Sequence, residues 1–228
     1  MKLITVAGPP SSGKTAVTIK AIAALRREGV QIGVVKFDSL STQDQLLYEK
    51  QGVAVMTGLS GNLCPDHFFV SNVSDCLVWG VRKGFDLLVI ESAGLCNRCA
   101  PHIQGVLAVC VIDNLSGVDT PKKIGPMLKM ADVVVITKGD IVSQAEREVF
   151  AYRVRQVNGN AMVMNVNGLT GQGGHELGRL LLGAPETVEL EGKLLRFSMP
   201  AALCSYCLGQ RKIGSDFQMG NVKKMEFT

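Results

Sequence analysis

Residues 3–26 read LITVAGPPSSGKTAVTIKAIAALR. An apolar, β-branched run passes into GPPSSGKT (8–15) and then directly into a helical pattern. The eight residues fit G-x-x-x-x-G-K-[ST], and a strand before and a helix after are the context that gives this motif its meaning. Gly8 and Gly13 let the loop, with Ser11 and Ser12, wrap phosphates in backbone N–H groups, and the helix N-terminus adds a favourable dipole. Lys14 is placed to contact the β- and γ-phosphates, and the Thr15 hydroxyl to ligate Mg²⁺. A nucleoside triphosphate is the expected ligand.

The chain continues in the same alternation. Strand candidates are 31–36 (QIGVVK), 53–57 (VAVMT), 86–90 (DLLVI), 107–113 (LAVCVID), 132–137 (DVVVIT) and 161–166 (AMVMNV). Helix-like stretches cover 14–27, 42–51, 70–83, 121–130, 143–157 and 174–182. Strands so apolar, without alternation, are buried on both faces, as in a parallel sheet. The expected fold is α/β, a three-layer nucleotide-binding architecture with a mostly parallel sheet. Residues 1–184 form the core domain in this reading. Residues 185–228 form a short β-rich extension, with ELEGKLLRF (189–197) as two strands around a glycine turn.

At 228 residues the chain is long enough for one sizeable core, and 46% hydrophobic with 19% charged residues excludes a disordered chain. A formal charge of +4 is too small to imply nucleic acid. No apolar run is long enough to span a bilayer, and MKLITVAGPP lacks the apolar core of a signal peptide, so a cytoplasmic protein is expected. Its seven cysteines then point to metal or redox chemistry rather than disulfides.

Three further positions bear on the nucleotide. Glu91 ends the run FDLLVI, where a carboxylate holds Mg²⁺ through water or orients the attacking water. Asp38, in VVKFDSLST, is a second such candidate from a switch-like loop, or else a turn aspartate. ITKGD (136–140) reads [NT]-K-x-D: the Asp140 carboxylate can accept both guanine N1–H and the N2 amino group, and the Lys138 stem can lie against the base. With Thr137 and the loop VNGLTGQG (166–173), including Thr170, this favours GTP over ATP.

In this order the motifs resemble the UreG/HypB family, GTPases of the SIMIBI class that help insert nickel into urease and hydrogenase. GPPSSGKT has that family's form, with Pro9 where related ATPases carry an extra lysine. VVKFDSLSTQDQ resembles its switch segment, ESAG (91–94) its Glu-x-x-Gly, VIDNLSGVDTPKK its next strand and loop, and ADVVVITKGD its base-recognition strand. The resemblance implies slow GTP hydrolysis, nucleotide-dependent homodimerisation, and a client metalloenzyme or accessory maturation protein as partner. It also implies metal ligands after the third strand, where family members carry Cys-Pro-His or Cys-His at a dimer interface. This chain reads Cys64-Pro65-Asp66-His67, with one residue inserted. Thiolate and imidazole suit Zn²⁺ or Ni²⁺, and two copies across a two-fold axis would give four ligands.

Cys96-x-x-Cys99 and Cys204-x-x-Cys207 form a second system. Two such pairs complete a tetrahedral set for Zn²⁺ or for an iron–sulfur cluster, within one chain or across a dimer. His102 is expected as a solvated loop residue, His175 as a helix N-terminal residue without chemistry, and Trp79, Cys76 and Cys110 as core. The function expected is that of a GTP-hydrolysing metallochaperone or metal-centre maturation factor. A nucleotide-gated iron–sulfur electron-transfer or reductase component is the alternative.

Overall fold

The computed structural model describes residues 1–198, 209–217 and 222–227. Seven strands form one sheet: β1 (Lys2–Ala7), β2 (Ile32–Asp38), β3 (Ala54–Leu59), β4 (Leu87–Glu91), β5 (Leu107–Asp113), β6 (Val133–Thr137) and β7 (Met162–Asn165). Their spatial order is β3-β2-β4-β1-β5-β6-β7, and every pairing is parallel. The helices are α1 (Lys14–Arg26), α2 (Asp44–Lys50), α3 (Pro65–Arg82), α4 (Thr120–Lys123), α5 (Pro126–Lys129), α6 (Gln144–Val157) and α7 (Gly174–Leu182). The three-layer parallel α/β architecture anticipated from the apolar runs is therefore present.

Both faces of the sheet are covered, which explains why its strands do not alternate. On one face Val17, Ile22 and Leu25 of α1 pack with Ile4, Val34 and Val89, and α7 joins them through Leu177 and Leu181. On the other, α3 places Phe68, Phe69 and Val73 against Val35, Phe37, Leu88 and Ile90. Phe37 meets Phe68 and Phe69 edge-on at centroid distances of 5.6 and 5.3 Å, which pins the first turns of α3 to β2. A third cluster joins α5 and α6 to β5 and β6.

Local chemistry sets where the helices begin. α3 starts at Pro65 rather than near Val70, because Cys64 is extended (φ −61°, ψ 123°) and proline suits the first helical position. The single helix expected over 121–130 is instead α4 and α5, separated by Gly125 at φ 60°. α6 opens with a reciprocal capping box between Ser143 and Glu146.

Beyond Ala184 the two strands expected in ELEGKLLRF do not form among the described residues. Isolated antiparallel bridges occur instead, Lys2 with Glu186, Ile103 with Leu195 and Leu194 with Lys212. Leu190, Leu195 and Ile213 enter the same apolar cluster as α3. Arg196 anchors this segment: it forms a two-pronged ion pair with Asp132 at 2.7 Å per contact and donates to the carbonyls of Ile103, Val106 and Met130. The segment 222–227 lies on α3, where the Asn72 side chain bonds Lys223 O and Met225 N. No helix among the described residues is long and apolar enough to cross a membrane.

Candidate functional site

Parallel α/β sheets collect their ligands outside the carboxyl ends of the strands, and the motifs meet there. The loop after β1 turns on three unusual backbone conformations, Gly8 (φ 149°), Ser11 (φ 59°) and Gly13 (φ 92°). A side chain at Gly8 would begin 2.1 Å from the Val111 carbonyl oxygen, so only glycine allows the loop to lie this close to β5. Lys14 Nζ donates to Gly8 O and Pro9 O, each at 2.9 Å. Burial pulls the Lys14 ammonium below the ordinary lysine range, opposed mainly by Glu91.

Glu91, fully buried at the end of β4, is the hub of the site. Its Oε1 accepts from Lys36 Nζ at 2.6 Å and lies 2.8 Å from Thr15 Oγ1, and its Oε2 accepts from Tyr48 OH at 2.7 Å. Asp44 Oδ2 lies 2.8 Å from the same Lys36 ammonium and 3.0 Å from Thr15 Oγ1. The Thr15 hydroxyl has one proton, so it serves one carboxylate at a time. Burial pulls the Lys36 ammonium down, but Glu91 and Asp44 outweigh it and hold the group above its usual value. Burial tends to raise the Asp44 carboxyl, yet the Lys36 and Thr15 contacts keep it low. Burial and the adjacent Glu91 push the Tyr48 phenol well up, so it stays a donor.

This donor set of one hydroxyl and two carboxylates consists of hard oxygens, which suits Mg²⁺. Asp38 lines the same cleft of about 490 Å³, together with Lys14, Thr15, Lys36, Asp44, Glu91 and Leu95. Its Oδ1 accepts from Ser39 N at 2.8 Å.

The end of β6 is tied to the loop after β1. Thr137 Oγ1 donates to Ser12 O at 2.6 Å, and Lys138, in left-handed backbone at φ 55°, donates to Ser11 O at 2.8 Å. Beside them opens a pocket of about 230 Å³ lined by Gly13, Lys138, Asp140, Asn167, Gly168 and Leu169. Asn167 Oδ1 accepts from Leu169 N and Thr170 N and so shapes the loop that borders it. Thr170 itself lines a neighbouring groove with Lys20 and His175.

The cysteine motifs converge more than their spacing suggested. Asp66, Cys96 and Cys99 bring ligand atoms within 4.8 Å of one another, the one such group among the described residues. Burial pushes the Asp66 carboxyl up to about 6, opposed by a hydrogen bond from the Cys99 thiol. Burial raises the Cys99 thiol further, followed by the charge of Asp66 and then by Cys96 and Cys64, so Cys64 belongs to the same neighbourhood. His67 is buried in the first turn of α3, and burial lowers its pKa. Cys204 and Cys207 lie outside the described residues.

The loop from Glu91 to Cys99 also touches the phosphate loop. A Cβ at Gly94 (φ 74°) would begin 1.8 Å from Gly8 O, the carbonyl that Lys14 holds. One short segment thus meets Thr15 at Glu91 and Gly8 at Gly94, and carries thiols at Cys96 and Cys99.

His102 departs from expectation. It is fully buried, its Nδ1 lies 3.0 Å from Thr5 Oγ1 and its Nε2 3.1 Å from Met127 O. Burial pushes it down to about 4, so it is a neutral structural linker between β1 and α5, not a solvated residue. His175 is exposed at the start of α7, and Trp79, Cys76 and Cys110 lie in the core.

Four participants escaped the sequence reading: Lys36, Asp44, Tyr48 and Asp66. Lys36 left a signal, since a lysine inside an otherwise buried strand requires counter-charges. Asp44 and Tyr48 left no local signal, and Asp66 stood only as the inserted residue of a metal motif.

Comparison with known proteins bears on the family and the fold. The family profile described as CobW/HypB/UreG, nucleotide-binding domain, matches residues 2–165. An uncharacterised protein of Methanocaldococcus jannaschii is 46% identical over 226 residues, 99% of this chain and 97% of that protein. The urease accessory protein UreG of Yersinia pestis is 31% identical over 193 residues, 76% of this chain and 85% of the relative. The hydrogenase maturation factor HypB from Archaeoglobus fulgidus shares the fold with a TM-score of 0.62 at 22% identity, over 80% of this chain and 89% of that one. HypB from Helicobacter pylori, solved in complex with nickel, does so with a TM-score of 0.64 at 20% identity, over 80% and 86%. The chain belongs to the CobW/HypB/UreG family of P-loop nucleotide-binding proteins.

Proposed function

We propose that this protein is a GTP-dependent metallochaperone or metal-centre maturation factor, in which the nucleotide controls a metal carried by the 91–99 loop. One observation carries the reading: Glu91 contacts Thr15, Gly94 abuts Gly8, and Cys96 and Cys99 follow in the same segment. Bound Mg²⁺ would be held by Thr15 with Glu91 or Asp44, and would supply charge neutralisation for the triphosphate. Lys14 neutralises phosphate charge, Glu91 fixes the Thr15 hydroxyl, and Asp38 lines the cleft, where it can orient a water. Nucleotide states that move Glu91 or Gly94 would shift the thiols, which is coupling by differential binding.

GTP rather than ATP is the proposed nucleotide, because Asp140 sits in the pocket beside Gly13 and Lys138, where a carboxylate selects guanine's N–H donors. Residues 185–228 are proposed as a C-terminal extension whose described part is anchored to the core beside Cys99, Cys204 and Cys207 lying outside the described residues. Supporting this, Leu195 N bonds Arg211 O at 2.8 Å, and Arg196 N bonds His102 O at 2.8 Å, three residues past Cys99. Family membership supports a client metalloenzyme or an accessory maturation protein as partner, with nickel as the leading cargo and a nucleotide-dependent homodimer as the working form.

The test is steady-state hydrolysis of GTP and ATP by the reduced full-length chain. The reading requires slow, Mg²⁺-dependent turnover with clear preference for GTP, abolished by Lys14→Ala. Equal turnover of both nucleotides would overturn the choice of GTP.

A further inference from the structure

The first turn of α3 and the loop after β4 are distant in sequence, yet they present three ligand atoms to one point. A carboxylate oxygen of Asp66 and the Sγ atoms of Cys96 and Cys99 lie within 4.8 Å of one another. Metal–sulfur bonds near 2.3 Å and metal–oxygen bonds near 2.0–2.2 Å set ligand atoms roughly 3.5–4 Å apart in a tetrahedral site. Closing the triangle on an ion therefore needs a contraction of about 1.3 Å at most.

Asp66 is 4% exposed, and the salt bridges among the described residues do not include it. It accepts a hydrogen bond from the Cys99 thiol. A buried carboxylate that faces two thiols is costly to ionise without a cation, and favourable with one. Its place in the first turn of α3 adds the helix dipole, which favours the ionised carboxylate that a metal requires.

Both halves are held from behind. The phenyl rings of Phe68 and Phe69 fix the start of α3 on Phe37. The Cys96–Cys99 turn closes with Cys99 N donating to Cys96 O, and its Asn97 carbonyl lies where a Cβ on Gly125 would be 2.7 Å away. Such support keeps ligands in place before an ion arrives.

We propose that Asp66, Cys96 and Cys99 of one chain form a site for a single borderline divalent cation of the Zn²⁺, Ni²⁺ or Co²⁺ class, with Cys64 beside it. The proposal rests on the reading of the 91–99 loop as a metal carrier, and narrows it to a mononuclear site that needs no second subunit. One hard oxygen with two soft sulfurs suits these ions better than Cu(I) or an all-thiolate cluster. Binding takes up one M²⁺, leaves the Asp66 carboxylate ionised and releases one proton from each thiol, two in all.

The test uses the reduced, metal-stripped full-length chain without nucleotide, titrated with Co²⁺ and then displaced with Zn²⁺. The expected result is one Co²⁺ per monomer, with thiolate-to-cobalt charge-transfer absorption and the intense visible bands of a tetrahedral site. Asp66→Asn should lower Zn²⁺ affinity by at least about tenfold and alter the visible bands, since even outer-shell changes at metal sites lose roughly 10–100-fold. Asp66→His, which offers a nitrogen ligand at the same place, should restore binding with a shifted spectrum. The Cys204→Ser/Cys207→Ser double variant should keep one Co²⁺ per chain that depends on Asp66. An Asp66→Asn protein with unchanged affinity and spectrum would overturn the proposal, as would loss of all cobalt binding in the double variant. Because nucleotide is absent throughout, a failure here is distinct from a failure of GTP preference.

Discussion

Replacing Lys36 by methionine removes the ammonium that lies between Glu91 and Asp44. The Lys36 side chain is 5% exposed and Glu91 0%, so water cannot take over the lost contact at 2.6 Å. Methionine follows the lysine stem closely, which keeps the packing change small. Removing one partner of a buried ion pair destabilises by roughly 3–5 kcal/mol. Glu91 retains the Tyr48 hydroxyl at 2.7 Å and the Thr15 hydroxyl at 2.8 Å, so the low end applies, about 3 kcal/mol. For a chain of this size that is about 6–12 °C in the unfolding midpoint. The Lys36 pKa is raised in the fold, so its contribution is complete below the ordinary lysine value of 10.5 and disappears only as pH rises through the higher folded value. The Lys36→Met penalty should therefore be constant between about pH 7 and 9.

Thermal or urea unfolding of the metal- and nucleotide-free protein measures it. The Lys36→Met/Glu91→Gln double variant should recover most of the loss, because it also removes the stranded buried charge. A single variant within about 0.5 kcal/mol of the parent, the range of an ordinary surface change, would refute the network. So would a double variant no more stable than Lys36→Met.

Other consequences are equally direct. Asp66 has its pKa raised to about 6, so its ionisation in the fold costs stability above that pH and the cost vanishes as pH falls towards the unfolded value of 3.8. In metal-stripped protein, the parent should gain about 2 kcal/mol relative to Asp66→Asn between pH 7 and 4, read from urea titrations at each pH. His102 acts with the opposite sign. Its pKa is lowered to about 4 from 6.5, so its contribution is present above pH 6.5 and is lost as pH falls to about 4; the Asp66→Asn variant, in which no Asp66 titration offsets it, should show that acid loss plainly. Gly94→Ala forces a Cβ into Gly8 O at positive φ and should abolish GTP binding in equilibrium dialysis while the chain remains folded by circular dichroism. Asp140→Asn should weaken GTP binding about tenfold or more and leave ATP binding unchanged in a competition assay with a fluorescent nucleotide.

The parts legible in the sequence are those where local pattern and tertiary role coincide. Seven apolar runs became seven strands because a doubly covered parallel sheet needs strands apolar on both faces. GPPSSGKT was legible because its glycines serve conformations that other residues avoid. What depended on distant partners was not legible. Asp44 looks like a helix-start acid until Lys36 of β2 comes within 2.8 Å of it. Asp66 looks like an insertion until Cys99, far along the chain, meets it. His102 seemed exposed because it follows a loop-like CNRCAP; Thr5 and Met127, from two other elements, make burial tolerable. Gly125 split the expected helix over 121–130 because the Asn97 carbonyl occupies the space a side chain would need.

In the proposed function, nucleotide state and metal affinity are linked through the 91–99 loop. Competition of the full-length protein with a chromophoric zinc chelator, with Mg²⁺ and either GDP or a non-hydrolysable GTP analogue, measures that link. Linkage through a shared loop predicts Zn²⁺ affinities that differ by at least about fivefold between the two states, the lower end of ordinary allosteric coupling, and Gly94→Ala should erase the difference. Identical affinities in the two nucleotide states would show that the loop does not couple the two sites.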